Sequence, residues 1–364
     1  MKKFVFPLVF SMTLTGYAVY SVLDTLVLES GKTVTIDVNK EGEGFTFTKP
    51  NPNENNENNN NQNNNNNENN NNENNGNNEN GNSNNENIEA EKQHLLYNYN
   101  SPGLKLDIFK KTIETKKWNS DKTTYQLMNT IIYYADVKIT DLNNFHTSFA
   151  YRNGSPVFKY NVFSTTSEIA TNRGAIFAIS GDNCAAREKG YVVRNGSKPD
   201  TKLRNTPSDR KINREDLVVW GDGSFGTFYE NDVSLAEIID NPLGAWQVFS
   251  FGPALVKESS VSVGLFDEIN DKTSTLGNQR CSVGIIEPYH YFMAVCDGRL
   301  KDSYGMSLFE MGTFMKEHGV KVAYNLDGGG SATIWYQGKV LNRPNTNGER
   351  DLGEREISDI IFFQ

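Results

Sequence analysis

Hydrophobic and polar positions divide the 364-residue chain into three parts. Residues 1–28 are mostly apolar, and the stretch 4–23 carries no charge. Residues 51–87 are nearly all asparagine with scattered glutamates and contain no aliphatic or aromatic side chain. Further along, apolar residues recur at the spacings of strands and helices. The pattern therefore predicts an N-terminal anchor over 1–28, a linker over 29–94 and a folded domain over 95–364.

The uncharged stretch 4–23 is about long enough to cross a bilayer as a helix. Lys2 and Lys3 precede it, which places the N-terminus in the cytoplasm and the rest of the chain outside. A cleaved signal peptide is the alternative and would make the protein secreted. The length of the stretch, and the lack of a small-x-small pattern near its end, favour an uncleaved single-pass anchor in the cell membrane.

The asparagine-rich tract 51–87 has no apolar side chains to bury, so it predicts a disordered spacer between the membrane and the domain. Its glutamates contribute to the net charge of −9, so that charge says little about the ligand. The folded part has no basic stripe, and we therefore expect no binding to nucleic acid.

Short apolar runs rich in β-branched and aromatic residues predict strands. They span 133–139, 174–179, 216–220, 246–251, 281–287, 290–296, 321–324 and 333–336. Helices are predicted over 307–318 and 234–240, each with Ser and Glu spaced as a capping box, and one begins near 166. Since strands and helices do not alternate strictly, the chain predicts an α+β fold with mixed, largely antiparallel sheets and a few packed helices.

The three cysteines are Cys184, Cys281 and Cys296. If Pro288 and Tyr289 form a two-residue turn, counting outward places Cys281 opposite Cys296. Directly paired strand positions lie within disulfide range, and an extracytoplasmic location permits the bond. Two unpaired thiols in the core are the alternative, because a one-residue change in the loop would break this register.

The four histidines show no metal-ligand spacing, so carboxylates and arginines must carry any catalysis. A glycine-rich run, 325–331, lies between two predicted strands and reads Asn-Leu-Asp-Gly-Gly-Gly-Ser. Asp327 ends the first strand, and successive N–H groups of the glycines could bind an anion. The alternative is a tight glycine turn without a ligand. The run is not a nucleotide P-loop, because no lysine follows and the next element is a strand.

Asp182 and Asp297 also lie at strand ends beside glycine, as Asp327 does. Although Asp-Gly is a common turn pair, three such positions in one domain indicate a site. Paired carboxylates hydrolyse glycosides, and arginine binds phosphate oxygens with two parallel hydrogen bonds.

Several pieces of the chain, in order, resemble the phosphodiester glycosidase family, that is, domains like N-acetylglucosamine-1-phosphodiester alpha-N-acetylglucosaminidase. They are 167–170, 178–182, 191–196, 251–253, 297–299, 305–310, 325–331 and 355–359, with Arg280 and Gly284. The chain is most similar to membrane-anchored bacterial members of the exopolysaccharide-biosynthesis type. It departs from the family at Ser180, where asparagine is usual, at Asn183-Cys184, where an aromatic pair is usual, and at Gln279, where proline is usual.

The resemblance implies hydrolysis of the glycosidic bond of a sugar-1-phosphodiester, in a surface glycan or glycopolymer. On that basis Asp182 and Asp327 are expected to be catalytic. The expected phosphate- and substrate-binding residues are Arg280, Arg355, Gly328, Gly329, Gly330 and Ser331. The expected supporting residues are Ser180, Asp297, Arg299, Asn325 and Asp359. Loss of the amide at Ser180 would weaken the enzyme or alter its specificity.

Two other functions fit the same residues. One is a non-catalytic module that binds surface glycopolymers, and the other is a glycosyl or phosphoglycosyl transferase in envelope polymer assembly. No cofactor is required by the sequence, although the aspartates could gather a divalent cation such as Ca²⁺.

Overall fold

The computed structural model describes residues 91–187, 189–198, 214–266 and 276–364. The predicted anchor and the asparagine-rich tract lie outside these residues. Within the described part, no helix is both long enough and apolar enough to cross a bilayer.

Eighteen strands are described, and every strand pair among the described residues is antiparallel. In chain order, β1 to β9 are Leu95–Asn100, Leu104–Trp118, Tyr125–Ile139, Phe145–Phe149, Tyr151–Arg152, Ser155–Pro156, Phe177–Ser180, Glu215–Trp220 and Phe225–Tyr229. Strands β10 to β18 are Ala245–Phe249, Ala254–Lys257, Ser260–Val261, Arg280–Glu287, His290–Cys296, Val322–Asn325, Ile334–Tyr336, Lys339–Val340 and Asp359–Phe363. The helices are α1 (Thr166–Arg173), α2 (Leu235–Ile239) and α3 (Leu308–Glu317).

Two sheets pack face to face. The larger has eight strands in the order β1-β2-β3-β14-β13-β15-β11-β12, and the smaller has five in the order β17-β16-β7-β18-β4. Their facing side chains form one apolar core, to which Ile108, Val283 and Tyr324 contribute from the large sheet and Ile179 and Ile361 from the small one. A three-stranded sheet, β10-β8-β9, borders this core.

Helices cover the outer faces of both sheets. Helix α3 buries Leu308, Met311 and Met315 against the large sheet. Helix α1 buries Ile169 and Ala170 against the small one. Strand β18 is covered on both faces, so all five of its residues are buried, and the four that follow Asp359 are apolar. The result is an α+β fold of largely antiparallel sheets with few helices, as predicted.

Local signals in the chain determine where two of the helices begin. Ser307 caps α3 and Ser234 caps α2, and each forms the predicted capping box with the glutamate three residues later. Strand β3 is longer than predicted, and its partner β2 was not predicted. Both run for 15 residues and pair along their whole length.

The predicted register of the cysteine hairpin is wrong. The turn is the expected one, since Glu287 pairs with His290, but an irregularity between Ile285 and Glu287 shifts the strands by one residue. Arg280 therefore faces Cys296, and Cys281 faces Val295. Cys184, Cys281 and Cys296 are all buried free thiols. Burial raises the pKa of Cys281 and Cys296 to about 12, so both remain protonated at neutral pH.

Candidate active site

The two packed sheets bring three strand ends together. Strand β7 is followed by Asp182, β15 is followed by Asp327, and β18 begins at Asp359. The Asp327 N–H donates to the Gly181 carbonyl at 3.2 Å, which joins an end of one sheet to an end of the other. A Cβ at Gly181 would lie 2.4 Å from an Asp359 carboxylate oxygen, so only glycine fits there.

Behind this junction lies a buried ion network. One Arg194 nitrogen (Nη2) donates to Asp182 Oδ1 at 2.6 Å and to Asp359 Oδ2 at 3.0 Å, and both carboxylates are fully buried. The Ser250 N–H also donates to Asp182, at 2.8 Å. Burial and the charge of Asp182 raise the Asp359 pKa, while Arg194 opposes that rise. The arginine thus makes it possible to bury two carboxylates side by side.

Arg187 connects the network to the surface. Its guanidinium donates to the Asp182 carbonyl at 3.0 Å and to the Ser250 carbonyl, and it lies 3.5 Å from the Asp182 carboxylate. It also lies over the ring of Phe251. These contacts fix the orientation of a partly exposed cation.

Asp327 lies in front of the network and is held from three sides. Its Oδ2 accepts hydrogen bonds from Ser331 at 2.8 Å, Asn183 at 3.1 Å and Arg355 at 3.2 Å. Arg355 also donates to the Ser331 hydroxyl at 2.7 Å. The carboxylate is oriented by neutral donors and one exposed cation, and these contacts leave Oδ1 for another partner.

A cavity of about 380 Å³ opens at this point. Its lining comprises two carboxylates, two arginines, an amide, two aromatic rings and a small residue: Asp327, Glu356, Arg187, Arg355, Asn183, Phe163, Phe251 and Ala186. We call this cavity the cleft. Charged groups flanked by aromatic rings suit a ligand with an anionic part and a sugar part.

The glycine run forms a 3-10 turn, Gly329–Ser331. A Cβ at Gly328 would lie 2.7 Å from the Gln279 carbonyl, and one at Gly330 would lie 2.5 Å from the Thr346 hydroxyl. The Gly329 N–H donates to the Gln279 carbonyl at 3.0 Å, so that amide is already used within the protein. Close packing therefore requires these glycines, whether or not the turn binds an anion.

The structure separates the three predicted arginines. Arg355 lines the cleft, and Arg299 lies beside the glycine turn, where its Nη2 would be 3.3 Å from a Cβ at Gly329. Burial and the charge of Arg355 lower the Arg299 pKa. Arg280 is buried, and its guanidinium donates to the Met306 and Leu276 carbonyls instead of lining the cleft.

The remaining predicted residues lie around the site. Asp297 is buried and paired with Arg343 at 3.0 Å. Asn325 donates to the Gly252 carbonyl, and its Oδ1 has no hydrogen-bond partner among the described residues. The Ser180 hydroxyl accepts from the Thr333 N–H at 3.3 Å, so this departure from the family points into the fold.

Sequence reasoning missed Arg187, Arg194 and Glu356 as site residues. The sequence could have indicated Arg194, because this residue lies in the segment 191–196 that carried the resemblance. Glu356 likewise lies in the segment 355–359 that carried the resemblance, directly after Arg355. Arg187 follows no local signal, and only the packing of distant segments brings it to the cleft.

One buried group of Asp182, Cys184 and Asp359 has ligand atoms within 4.8 Å of one another. It does not fit the Ca²⁺ considered from the sequence. Arg194 already supplies positive charge between the two carboxylates, and a thiol is a poor ligand for Ca²⁺.

Solved structures with a similar fold were found. The catalytic domain of zebrafish N-acetylglucosamine-1-phosphodiester alpha-N-acetylglucosaminidase, auto-inhibited by its pro-peptide, aligns with a TM-score of 0.55 and 21% identity over 73% of this chain and 84% of that one. A Synechocystis protein aligns with a TM-score of 0.42 and 11% identity, over 72% of this chain and 62% of that one. An exported Burkholderia pseudomallei protein aligns with a TM-score of 0.41 and 15% identity, over 64% of this chain and 74% of that one. No curated protein matches the chain in sequence.

The profile of one sequence family matches residues 165–364, which is more than half of the chain and includes every residue of the cleft except Phe163. The alignment with the zebrafish enzyme shows that the two chains share a fold. The chain belongs to the phosphodiester glycosidase family.

Proposed function

We propose that the protein hydrolyses the glycosidic bond of a sugar-1-phosphodiester in the cleft. The observation that carries this proposal is the position of Asp327, which faces the same cavity as Arg187 and Arg355. Two cations suit the two free oxygens of a phosphodiester, and a carboxylate in the same cavity suits the positive charge that develops at the sugar C1.

The reaction follows from this arrangement. The bond between C1 and the phosphate oxygen breaks, and its electron pair leaves with the phosphate. Water then bonds to C1 and gives a proton to a carboxylate, so the products are a free sugar and a phosphomonoester. Since phosphate is a good leaving group, stabilising its charge with Arg187 and Arg355 matters more than protonating it.

Two carboxylates line the cleft, and in this proposal one acts at the sugar C1 and the other transfers a proton. Asp327 is fixed by Ser331 and Asn183, which suits a group that stabilises or attacks C1. Glu356 is exposed and lacks such restraint, which suits a group that takes up or delivers a proton. Asp182 has no exposed surface, and in this proposal it acts by holding Arg187 in place.

The substrate class and the location belong to the same proposal. N-acetylglucosamine is the first sugar to test, because the zebrafish relative is named for that sugar. We propose that the domain works outside the cell, on surface glycans or glycopolymers, and that residues 1–28 hold it at the membrane. No observation specifically favours a transferase or a non-catalytic binding module.

The test uses the purified full-length protein with two substrates, the methyl phosphodiester of N-acetylglucosamine 1-phosphate and an aryl N-acetylglucosaminide without phosphate. Release of sugar from the diester alone is the expected result. Equal release from both substrates, or none from either by folded protein, would contradict the proposal. Repeating the assay with a chelator tests for a metal, and unchanged rates are expected.

A further inference from the structure

One aromatic ring of the cleft is not explained by the packing of the core. Phe163 and Phe251 both line the cleft, and both are half-buried. Phe251 packs against the core between the two sheets, and the guanidinium of Arg187 lies over its ring. Phe163 belongs to none of the apolar clusters, and no ring or cation stacks on it in the part of the chain that the structure describes. The Phe163 ring is therefore available to a ligand.

The backbone holds the Phe163 ring toward the cleft. Ser164 and Ile357 form an antiparallel bridge, in which the Ser164 N–H donates to the Ile357 carbonyl at 3.1 Å and the Ile357 N–H donates back at 2.9 Å. Val162 and Ser164 are both buried, and since side chains alternate along an extended chain, Phe163 points away from them. Thr165 then caps helix α1. These anchors fix the ring before a ligand binds, which lowers the entropic cost of binding.

The same bridge places two charged residues of the cleft beside Phe163. Arg355 and Glu356 directly precede Ile357, which is paired with Ser164. In the proposed function Arg355 binds the phosphate and Glu356 transfers a proton. The Phe163 ring therefore lies next to the groups that act on the two sides of the glycosidic bond.

The size of the cleft favours the sugar as the partner of this ring. A volume of about 380 Å³ is near the lower end of the range for small-ligand sites. If Arg187 and Arg355 bind the phosphate and Asp327 acts at C1, the sugar occupies the remaining space and the leaving group extends outside. One face of a pyranose presents C–H groups, which are apolar and can pack on the face of an aromatic ring.

We propose that Phe163 is a specificity-determining residue, which stacks on the C–H face of the sugar while its phosphodiester occupies the cleft. This inference rests on the proposed function and names the residue that selects a pyranose. Phe163 lies just outside residues 165–364, so it is a feature of this chain beyond the segment that the family profile matches. A ring that binds the sugar equally well in the substrate and in the transition state lowers KM and leaves kcat unchanged.

The test compares Phe163→Leu, Phe163→Tyr and Tyr160→Leu in the full-length protein. Leucine keeps an apolar side chain and removes the ring face, whereas tyrosine keeps the ring. Tyr160 is 53% exposed, belongs to the same segment and is not part of the cleft lining, so its change to leucine is the matched control. The substrate is the methyl phosphodiester of N-acetylglucosamine 1-phosphate. Free N-acetylglucosamine and methyl phosphate serve as separate inhibitors that represent the sugar and the leaving group.

Phe163→Leu is expected to raise KM for the diester about tenfold, equivalent to about 1.4 kcal/mol, and to leave kcat near the wild-type value. The inhibition constant of N-acetylglucosamine should rise by the same factor, while that of methyl phosphate should not change. Phe163→Tyr should retain most of the affinity for the sugar, and Tyr160→Leu should match the wild type.

Two results would overturn the proposal. One is an unchanged inhibition constant for N-acetylglucosamine in Phe163→Leu. The other is a rise in the inhibition constant of methyl phosphate alone, since the ring would then face the leaving group.

Saturation-transfer NMR with N-acetylglucosamine separates this proposal from the proposed function, because it detects sugar binding without turnover. If the wild type binds the sugar but cleaves no diester, the proposed function fails, and the dependence of the signal on Phe163 still tests the stacking. If the wild type cleaves the diester and Phe163→Leu binds the sugar equally well, only the stacking proposal fails. Absence of sugar binding by the wild type would also overturn the stacking proposal.

Discussion

The buried charges behind the cleft show how single residues depend on one another. Asp182 and Asp359 are both fully buried, and each is bonded to the same nitrogen of Arg194. Burial opposes the charge on Arg194, but the two carboxylates outweigh it and raise its pKa further. A buried ion cluster adds little stability compared with an apolar core, but removing one member leaves uncompensated charge.

Replacing Arg194 should therefore be costly. Arg194→Met keeps much of the volume but leaves Asp182 and Asp359 without their shared cation, and we expect a loss of about 3–5 kcal/mol in the free energy of unfolding. Urea unfolding followed by fluorescence measures the change. Arg152→Met, at an exposed arginine, is the control and should change stability by less than about 0.5 kcal/mol. Equal midpoints for the two variants would refute the role of the network.

Asp327 is expected to act on the substrate rather than on the fold. Asp327→Asn keeps the shape of the side chain and removes the negative charge, so kcat for the small phosphodiester should fall about 10²- to 10³-fold. The melting temperature should change little, because Asp327 is held mainly by neutral donors. Asp351→Asn is an exposed control in the next loop and should keep full activity. Retained activity in Asp327→Asn would rule out its catalytic role.

Among the elements, helix α3 is hydrogen-bonded to strand β2 through Glu310. Ser307 accepts from the Glu310 N–H at 3.2 Å, and the Glu310 carboxylate accepts from the Ser307 N–H at 2.8 Å. The other carboxylate oxygen of Glu310 accepts from the backbone N–H of Lys116 at 2.7 Å. One side chain thus caps the helix and also bonds to strand β2 at Lys116.

Removing the cap should weaken the helix by a predictable amount. Ser307→Ala leaves the N–H groups of the first turn without an acceptor, and we expect a loss of about 1 kcal/mol. The midpoint of denaturant unfolding, compared between proteins with the same m-value, gives this loss of stability. Thr313→Ala is the comparison in the same helix, because its hydroxyl bonds only to the Phe309 carbonyl and carries no cap. A smaller loss for Ser307→Ala than for Thr313→Ala would contradict the interpretation.

For the molecule as a whole, the pH dependence of stability involves one fully buried carboxyl group, Asp216. The Ser250 hydroxyl lies 2.5 Å from the Tyr191 carbonyl and 2.7 Å from Asp216 Oδ2. The Ser250 hydroxyl donates to Asp216 Oδ2, and this hydrogen bond favours the charged form of the carboxyl group. Burial, with the nearby charge of Glu230, raises the Asp216 pKa well above its ordinary value.

This raised pKa sets the direction of a pH dependence. The stability that neutral Asp216 contributes is complete at low pH and is lost as pH rises through its raised folded pKa. Asp216→Asn keeps a donor and cannot ionise, so its melting temperature should exceed that of the wild type increasingly as pH rises. The melting temperatures of the variant and the wild type should agree at a pH near the ordinary aspartate pKa of about 4. Each kcal/mol of change in the free energy of unfolding shifts the melting temperature by about 2–4 °C in a domain of this size.

The control for this pH series is Asp240→Asn, at an exposed helix end. It should follow the wild-type curve at every pH. If the melting temperatures of Asp216→Asn and the wild type changed with pH in parallel, the ionisation of Asp216 would not contribute to the pH dependence of stability.

Local patterns in the sequence determined most elements and the class of the fold. The capping boxes, the strand runs and the two-residue turn at Pro288-Tyr289 all depend on neighbours in the chain, and all are present. The glycine run indicated Asp327, the family resemblance indicated Arg355, and both residues line the cleft.

The register of the cysteine hairpin depends on tertiary packing, because the strand irregularity at residues 285–287 has no local signature. Tertiary packing likewise placed Arg187 and Glu356 at the cleft, turned Arg280 away from it, and buried Asp182 behind it. These outcomes depend on which distant segments pack together. A local sequence pattern depends only on residues that are neighbours in the chain. The site depends on segments far apart in the chain, because it forms where two sheets meet.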